Sequence, residues 1–285
     1  MELVTRFDSH LRSSLPEEQE YGLSGAPVFE IASIHDLIRL IGYAKHLNRE
    51  EIVLLRGQTK LYQTLTPSLL RCKNNYSKIL KKYKKLISSF QIAGYQKADK
   101  LEFEAVLQHY GIKTPHLDLV DNVWVALWFA THSVDSKSYG PYWCINYHVS
   151  NEEYSYILML ASDASIGAGA TESVPGISVG KATTLIDLRR CSSSRILRPH
   201  AQHAYILSGT GGVIKDYSRF VVGVAKIPTE LGLDWVGRNS LLCTESLFPP
   251  ATCDSGYGKL LERVQTKISS SNVKAYGAIQ IITGE

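Results

Sequence analysis

The sequence predicts an α+β fold: one domain on a mixed or antiparallel central sheet. Three observations carry this. Helix-period apolar patterns crowd the first half of the chain, while short apolar runs of strand length crowd the second. No internal repeat or linker divides the 285 residues, a length that suits one large domain. Hydrophobic residues make up 44% and charged residues 20%, the balance of an ordinary globular protein.

The elements follow in order. Residues 1–30 are polar, carry Pro16 and Pro27, and read as an arm over a domain spanning 31–285. Ser33 is an N-cap signal for a helix reaching about Leu47, with Ile34, Leu37, Ile38 and Ile41 at helical spacing. Ile52 to Arg56 is a short buried strand. In Thr66-Pro67-Ser68 the proline disfavours a helical Thr66. An amphipathic helix is predicted over Tyr76 to Ile92, and another from Leu101 to Tyr110, ended by Gly111. Asp121 is placed to cap a helix containing Val123, Ala126, Leu127 and Ala130. Strands are predicted at Tyr142–Val149, Thr184–Leu188, His203–Leu207, Phe220–Ile227 and Tyr276–Ile282. Gly167 to Gly180 lacks the Lys and Ser/Thr of a phosphate-binding loop and reads as a loop or flap; residues 209–216 read as a turn.

Charge and cysteine usage bound the function classes. A net charge of +4 is too small to argue for nucleic acid as partner. The basic run Lys81-Lys82-Tyr83-Lys84-Lys85 reads as a solvated helix face, with phosphate contact as the alternative. The five cysteines form an odd set without metal-ligand spacing, and no secretory or membrane-spanning apolar run is visible. A reduced cytoplasmic protein, with no membrane partner and no metal, is the expectation. His200 and His203 lack a third ligand. A nuclease reading is weak, because no paired-carboxylate metal motif appears.

The chemistry concentrates in two stretches. Leu54-Leu55-Arg56-Gly57-Gln58 puts a guanidinium at a strand end, directly before a residue that permits close backbone approach. Leu107-Gln108-His109-Tyr110-Gly111 leads through Asp118 to Leu127-Trp128-Phe129-Ala130. Each residue has two readings. Arg56 grips an anion or pairs with Asp118. His109 is an acid/base group or a helix-end imidazole. Tyr110 lines a site or packs in the interior. Asp118 serves the site or caps a segment. Trp128 and Phe129 stack on a flat ligand or fill the core. Gln202 lines a pocket or does not, and Arg195 and Arg198 grip phosphate or make surface ion pairs.

These stretches resemble the FRG domain family. Leu55-Arg56-Gly57-Gln58 has Leu55 where the family has an aromatic residue, and the resemblance continues through Leu65-Thr66-Pro67-Ser68 and Leu107 to Asp118. In that last stretch Lys113-Thr114-Pro115-His116 stands where the family has Pro-Thr-Arg. Asn122, Val125 to Ala130, Arg195-Ile196, Ala201-Gln202, Tyr205 and Ser246 to Pro249 extend it. A more distant resemblance is to ADP-ribosyltransferases: the Arg56-Gly57 strand, Trp128-Phe129-Ala130, Ser133, Ser136, Ser138 and the strand from Tyr142 follow that superfamily's order.

The second resemblance implies an ADP-ribosyltransferase-like core with NAD as substrate. Arg56, Gly57, Gln58, Tyr110, Trp128 and Ser136 would hold the dinucleotide. Gln202, where the superfamily has a glutamate, would act with His109 and Asp118, and Glu245 is a weaker candidate acid. A glutamine supplies no negative charge for a developing ribose cation. The implied function is an effector of bacterial or phage conflict that transfers ADP-ribose to a protein or nucleic-acid acceptor. The alternative is a non-catalytic nucleotide-sensing module.

Overall fold

The computed structural model describes residues 18–21, 25–71, 76–89, 100–109, 111, 113–139, 142–191, 196–258 and 274–276. Among the described residues the strands are β1 (Glu18–Tyr21), β2 (Pro27–Glu30), β3 (Ile52–Gln58), β4 (Leu117–Val120), β5 (His132–Tyr139), β6 (Tyr142–Val149), β7 (Tyr154–Ser162), β8 (Thr171–Val174), β9 (Ile177–Val179), β10 (Thr183–Asp187), β11 (Ala204–Gly209), β12 (Val221–Pro228) and β13 (Lys274–Tyr276). The helices are α1 (Ile34–Leu47), α2 (Tyr76–Ser89), α3 (Lys100–His109), α4 (Val123–Thr131), α5 (Leu188–Cys191), α6 (Arg198–Ala201), α7 (Thr229–Trp235) and α8 (Thr244–Leu247).

The strands form a mixed α+β sheet in the order β1-β2-β12-β7-β3-β4-β11-β10-β9-β8, with β5, β6 and β13 in a separate small sheet. Only β2 and β12 run parallel in the large sheet. Alternation sets its two faces. Val53 and Leu55 of β3 and Ile157, Met159 and Ala161 of β7 pack against α1 and α4. Leu54, Leu158 and Leu160 turn the other way, toward Leu117, Leu119, Leu207 and Phe220.

The sheet has a seam. β3 pairs with β7 along its whole length, from Ile52↔Ser162 to Gln58↔Tyr156. β4 pairs with β11 from Leu117↔Leu207 to Val120↔Ala204. Between β3 and β4 there is a single bridge, Leu55↔Val120. Beyond it the strands part, so β1-β2-β12-β7-β3 and β4-β11-β10-β9-β8 are two halves whose ladders meet at one bridge.

Several expectations change. Pro27–Glu30, part of the expected arm, is a sheet strand beside β12. Gly167–Gly180 contains the β8–β9 hairpin, with Gly176 in its turn at φ +85°. The α4 cap is Asn122, whose side chain accepts from Trp124 N at 2.9 Å and Val125 N at 3.2 Å. Asp121 turns instead to Arg189, 2.9 Å away. The expected strand at Tyr276–Ile282 meets β13 only at Tyr276; residues 277–282 lie outside the described residues, as do 90–92 of the expected second helix. Ser33 caps α1 as expected, accepting from Asp36 N at 3.2 Å. Gly111 follows α3 at φ +96°, the left-handed conformation a C-terminal glycine supplies. Within the basic run, Lys81, Lys84 and Lys85 are exposed and Tyr83 is buried, the pattern of a solvated helix face.

Candidate functional site

The site opens where β3 and β4 part. A cleft of about 210 Å³ is lined there by Arg56, Gly57, Gln108, His109, Asp118, Gln202 and the rings of Phe129, Tyr147 and Phe248, among others. Strand edges that separate leave backbone groups without ladder partners. Arg56 crosses the gap and meets one of them: its Nη1 donates to Asp118 O at 2.7 Å. The contact is to the main chain, not an ion pair with the Asp118 carboxylate. Gln58, two residues on and on the same strand face, steadies the guanidinium from behind. With its amide oriented to satisfy both ends, Gln58 Oε1 accepts from Arg56 Nε at 3.2 Å and Nε2 donates to Lys60 O at 3.3 Å. Nη2 is the donor left for the cleft. Burial and the nearby Arg71 push the Arg56 pKa down, and Asp118 opposes the shift; an arginine stays cationic regardless.

Gly57 has a packing reason. A Cβ there would sit 1.9 Å from Ala126 O and 2.6 Å from Ala130 N. The α4 backbone therefore lies directly on β3 through two alanines one helical turn apart.

The opposite wall comes from α3 and α6. His109 ends α3, and Arg198 Nη1 donates to His109 O at 3.3 Å. Arg198 is fully buried, with its guanidinium carbon 4.5 Å from the Tyr257 ring centroid and 5.4 Å from that of Phe248. Asp254 ties down the same helix start, accepting from Leu197 N and Arg198 N at 3.1 and 3.3 Å. Burial, reinforced by the Arg198 charge, pushes the His109 pKa down to about 3. The imidazole is neutral at physiological pH. Gln202 follows α6 and donates from Nε2 to Leu247 O at 2.7 Å, fastening α8 to the cleft wall.

The structure brings Arg56, Gly57, His109, Asp118 and Gln202 together. Trp128 does not join them. It is fully buried and stacks on His132 at 4.3 Å and 13°. The face of α4 that carries Trp128 turns into the core, so the aromatic wall of the cleft is Phe129 with Tyr147 and Phe248. Those last two rings stack at 4.8 Å and 27°. Sequence reading missed Tyr147, Phe248 and Gln108 as lining residues; Gln108 had the only local signal, its place beside His109. Ser136 lies on β5 opposite Ile145, in the small sheet. Tyr110 and Arg195 lie outside the described residues. Glu245, in α8, is not among the lining residues.

A second polar cluster surrounds Arg189. Its Nε and Nη2 donate to Asp187 at 2.9 and 3.0 Å, and Nη2 also reaches Tyr205 Oη at 2.6 Å. Asp121 adds an ion pair at 2.9 Å and also contacts His203 Nδ1 at 3.2 Å. His203 is thereby engaged, and no group of three or more His, Cys, Asp or Glu side chains among the described residues is placed to hold a metal ion. Among those residues no helix is long and apolar enough to cross a membrane.

Residues 51–138 match the FRG domain family, so the segment from β3 to β5 carries an FRG domain. Arg56, Gly57, Gln108, His109, Asp118 and Phe129 fall inside the matched span; Tyr147, Gln202 and Phe248 lie beyond it. No curated protein and no solved structure matches the chain.

Proposed function

We propose that the protein binds a nucleotide in the seam cleft, with NAD as the ligand. The observation that carries the reading is the convergence of Arg56, Asp118, Gln202 and a wall of Phe129, Tyr147 and Phe248 on one cleft. A guanidinium with a free edge suits a phosphate oxygen. Flat rings suit a base or a pyridinium. At about 210 Å³ the cleft takes part of a dinucleotide, with the remainder running out along the seam.

Asp118 favours a second, catalytic reading. Its carboxylate stands in the same cleft, where the position expected for a glutamate holds Gln202. In cleavage of the nicotinamide–ribose bond, the bond's electron pair leaves with the nicotinamide nitrogen and an acceptor hydroxyl adds to the ribose carbon. Asp118 would stabilise the positive charge developing on the ribose and take the hydroxyl proton. The acceptor is a protein, a nucleic acid or water.

Thermal unfolding at rising NAD tests the first reading. Ligand that binds the native state raises Tm with concentration. A Tm unmoved by NAD overturns the proposal. Release of nicotinamide by wild type, lost in Asp118→Asn, supports the catalytic reading. Binding without release leaves a nucleotide-sensing module.

A further inference from the structure

Two glutamines in the cleft have their amides locked in opposite senses. The Thr114 hydroxyl receives the His116 N–H at 3.2 Å and donates its own proton to Gln108 Oε1. Gln108 is left with its NH₂ group for the cleft. Gln202 is fixed the other way: its Nε2 is anchored by donating to Leu247 O, which orients Oε1 as the acceptor. Both side chains are more than nine-tenths buried, at 8% and 5% exposure.

The lock on Gln108 has depth. His116 Nε2 lies 3.3 Å from Glu104 Oε2, which also accepts from Tyr83 Oη at 2.9 Å. This chain runs from α2 through α3 to the loop before β4, so the amide that reaches the cleft is held by three segments. A glutamine without such partners presents either end of its amide. Here the two ends are assigned.

In a cleft that also holds Arg56, Asp118 and the neutral His109 imidazole, the two glutamines present a fixed donor–acceptor pair. A planar ligand edge with an acceptor beside a donor matches it, and a primary carboxamide is the smallest such group. A carboxylate in its place has two acceptors and no donor, and would set an anion against the Gln202 oxygen. A buried acceptor left facing an acceptor is strongly disfavoured.

We propose that Gln108 and Gln202 form a donor–acceptor pair that selects a carboxamide-bearing pyridine ring over its carboxylate counterpart. The proposal rests on the nucleotide-binding reading and specifies which end of the dinucleotide enters the cleft. The ring lies against Phe129, Tyr147 and Phe248, where a pyridinium gains from the aromatic faces. Arg56, at the mouth of the seam, meets the phosphates.

Calorimetric titration of NAD and of nicotinic acid adenine dinucleotide tests the pair. The two probes differ only in carboxamide against carboxylate. Wild type is expected to bind NAD at least about tenfold more tightly. Gln108→Glu, which replaces the donor with a carboxylate while keeping the Thr114 contact, should weaken NAD binding and widen the preference further, because a second anion then faces the carboxylate of the acid probe. Equal affinity of wild type for the two probes overturns the donor–acceptor pair and leaves nucleotide binding standing. Binding of neither overturns both. The wild-type ratio decides the matter even if Gln108→Glu does not fold.

Discussion

Arg56, on β3, and Arg189, on the short helix α5 that follows β10, are treated differently by their neighbours. Arg189 is saturated: a two-point contact with Asp187, an ion pair with Asp121, the Tyr205 hydroxyl, and the Tyr205 ring 4.8 Å from its guanidinium carbon. The Asp187 bonds lead the interactions that push its pKa up. Among the described residues Arg56 hydrogen-bonds a carbonyl and an amide, both neutral, and the Asp118 carboxylate acts on it only through space. An arginine whose charge is matched by carboxylates is part of the scaffold. One that is held in place but not neutralised is placed to meet an anion.

The contrast breaks most severely at Gly57. Gly57→Ala forces a methyl group onto the α4 backbone, where no flexible side chain can yield. The expected cost is about 3 kcal/mol or more, read as a fall in the urea midpoint. A variant as stable as wild type would mean that α4 is not seated on β3.

Arg189→Met should cost less, about 1–2 kcal/mol. Charge-assisted bonds are lost, but solvent reaches the cluster and screens it. NAD affinity of the folded variant should be unchanged. A normal midpoint with weakened NAD binding would reverse the roles assigned to the two arginines.

A third effect is a change of slope with pH. His109 has its folded pKa lowered to about 3 from an ordinary value of 6.5. Between these values the unfolded chain binds a proton that the folded chain does not. The stability from the neutral imidazole is therefore complete above about pH 6.5 and is lost as pH falls toward 3. Urea midpoints across this window should fall less steeply for His109→Asn than for wild type. Identical slopes would mean that His109 is not held neutral by burial.

Much of this was legible in the sequence, for local reasons. A capped amphipathic helix such as α1 and a glycine-ended helix such as α3 announce themselves in a few residues. So did Arg56, His109, Asp118 and Gln202, which are polar groups beside apolar runs. β4 and β7 were not expected. β4 is only four residues long, and β7 is a nearly unbroken apolar run whose two buried faces remove the alternation that marks a strand. The seam depends on where pairing stops between strands far apart in the chain, which no local pattern records. The same reason hid Tyr147 and Phe248, brought to the cleft by separate elements. Trp128 and Phe129 are adjacent on one helix, and which of them faces the core is set by the alanines seated on β3.

The central claim is that the guanidinium at the seam is the anion-binding group. Calorimetric titration of NAD into folded wild type, Arg56→Lys and Arg56→Ala tests it directly. Losing a charge-assisted hydrogen bond costs about 1.5–3 kcal/mol, so Arg56→Ala should bind at least about tenfold more weakly. Arg56→Lys should fall between, because an ammonium is a point charge without the planar fork that grips both Asp118 O and a phosphate. Equal affinity in all three proteins would contradict the account.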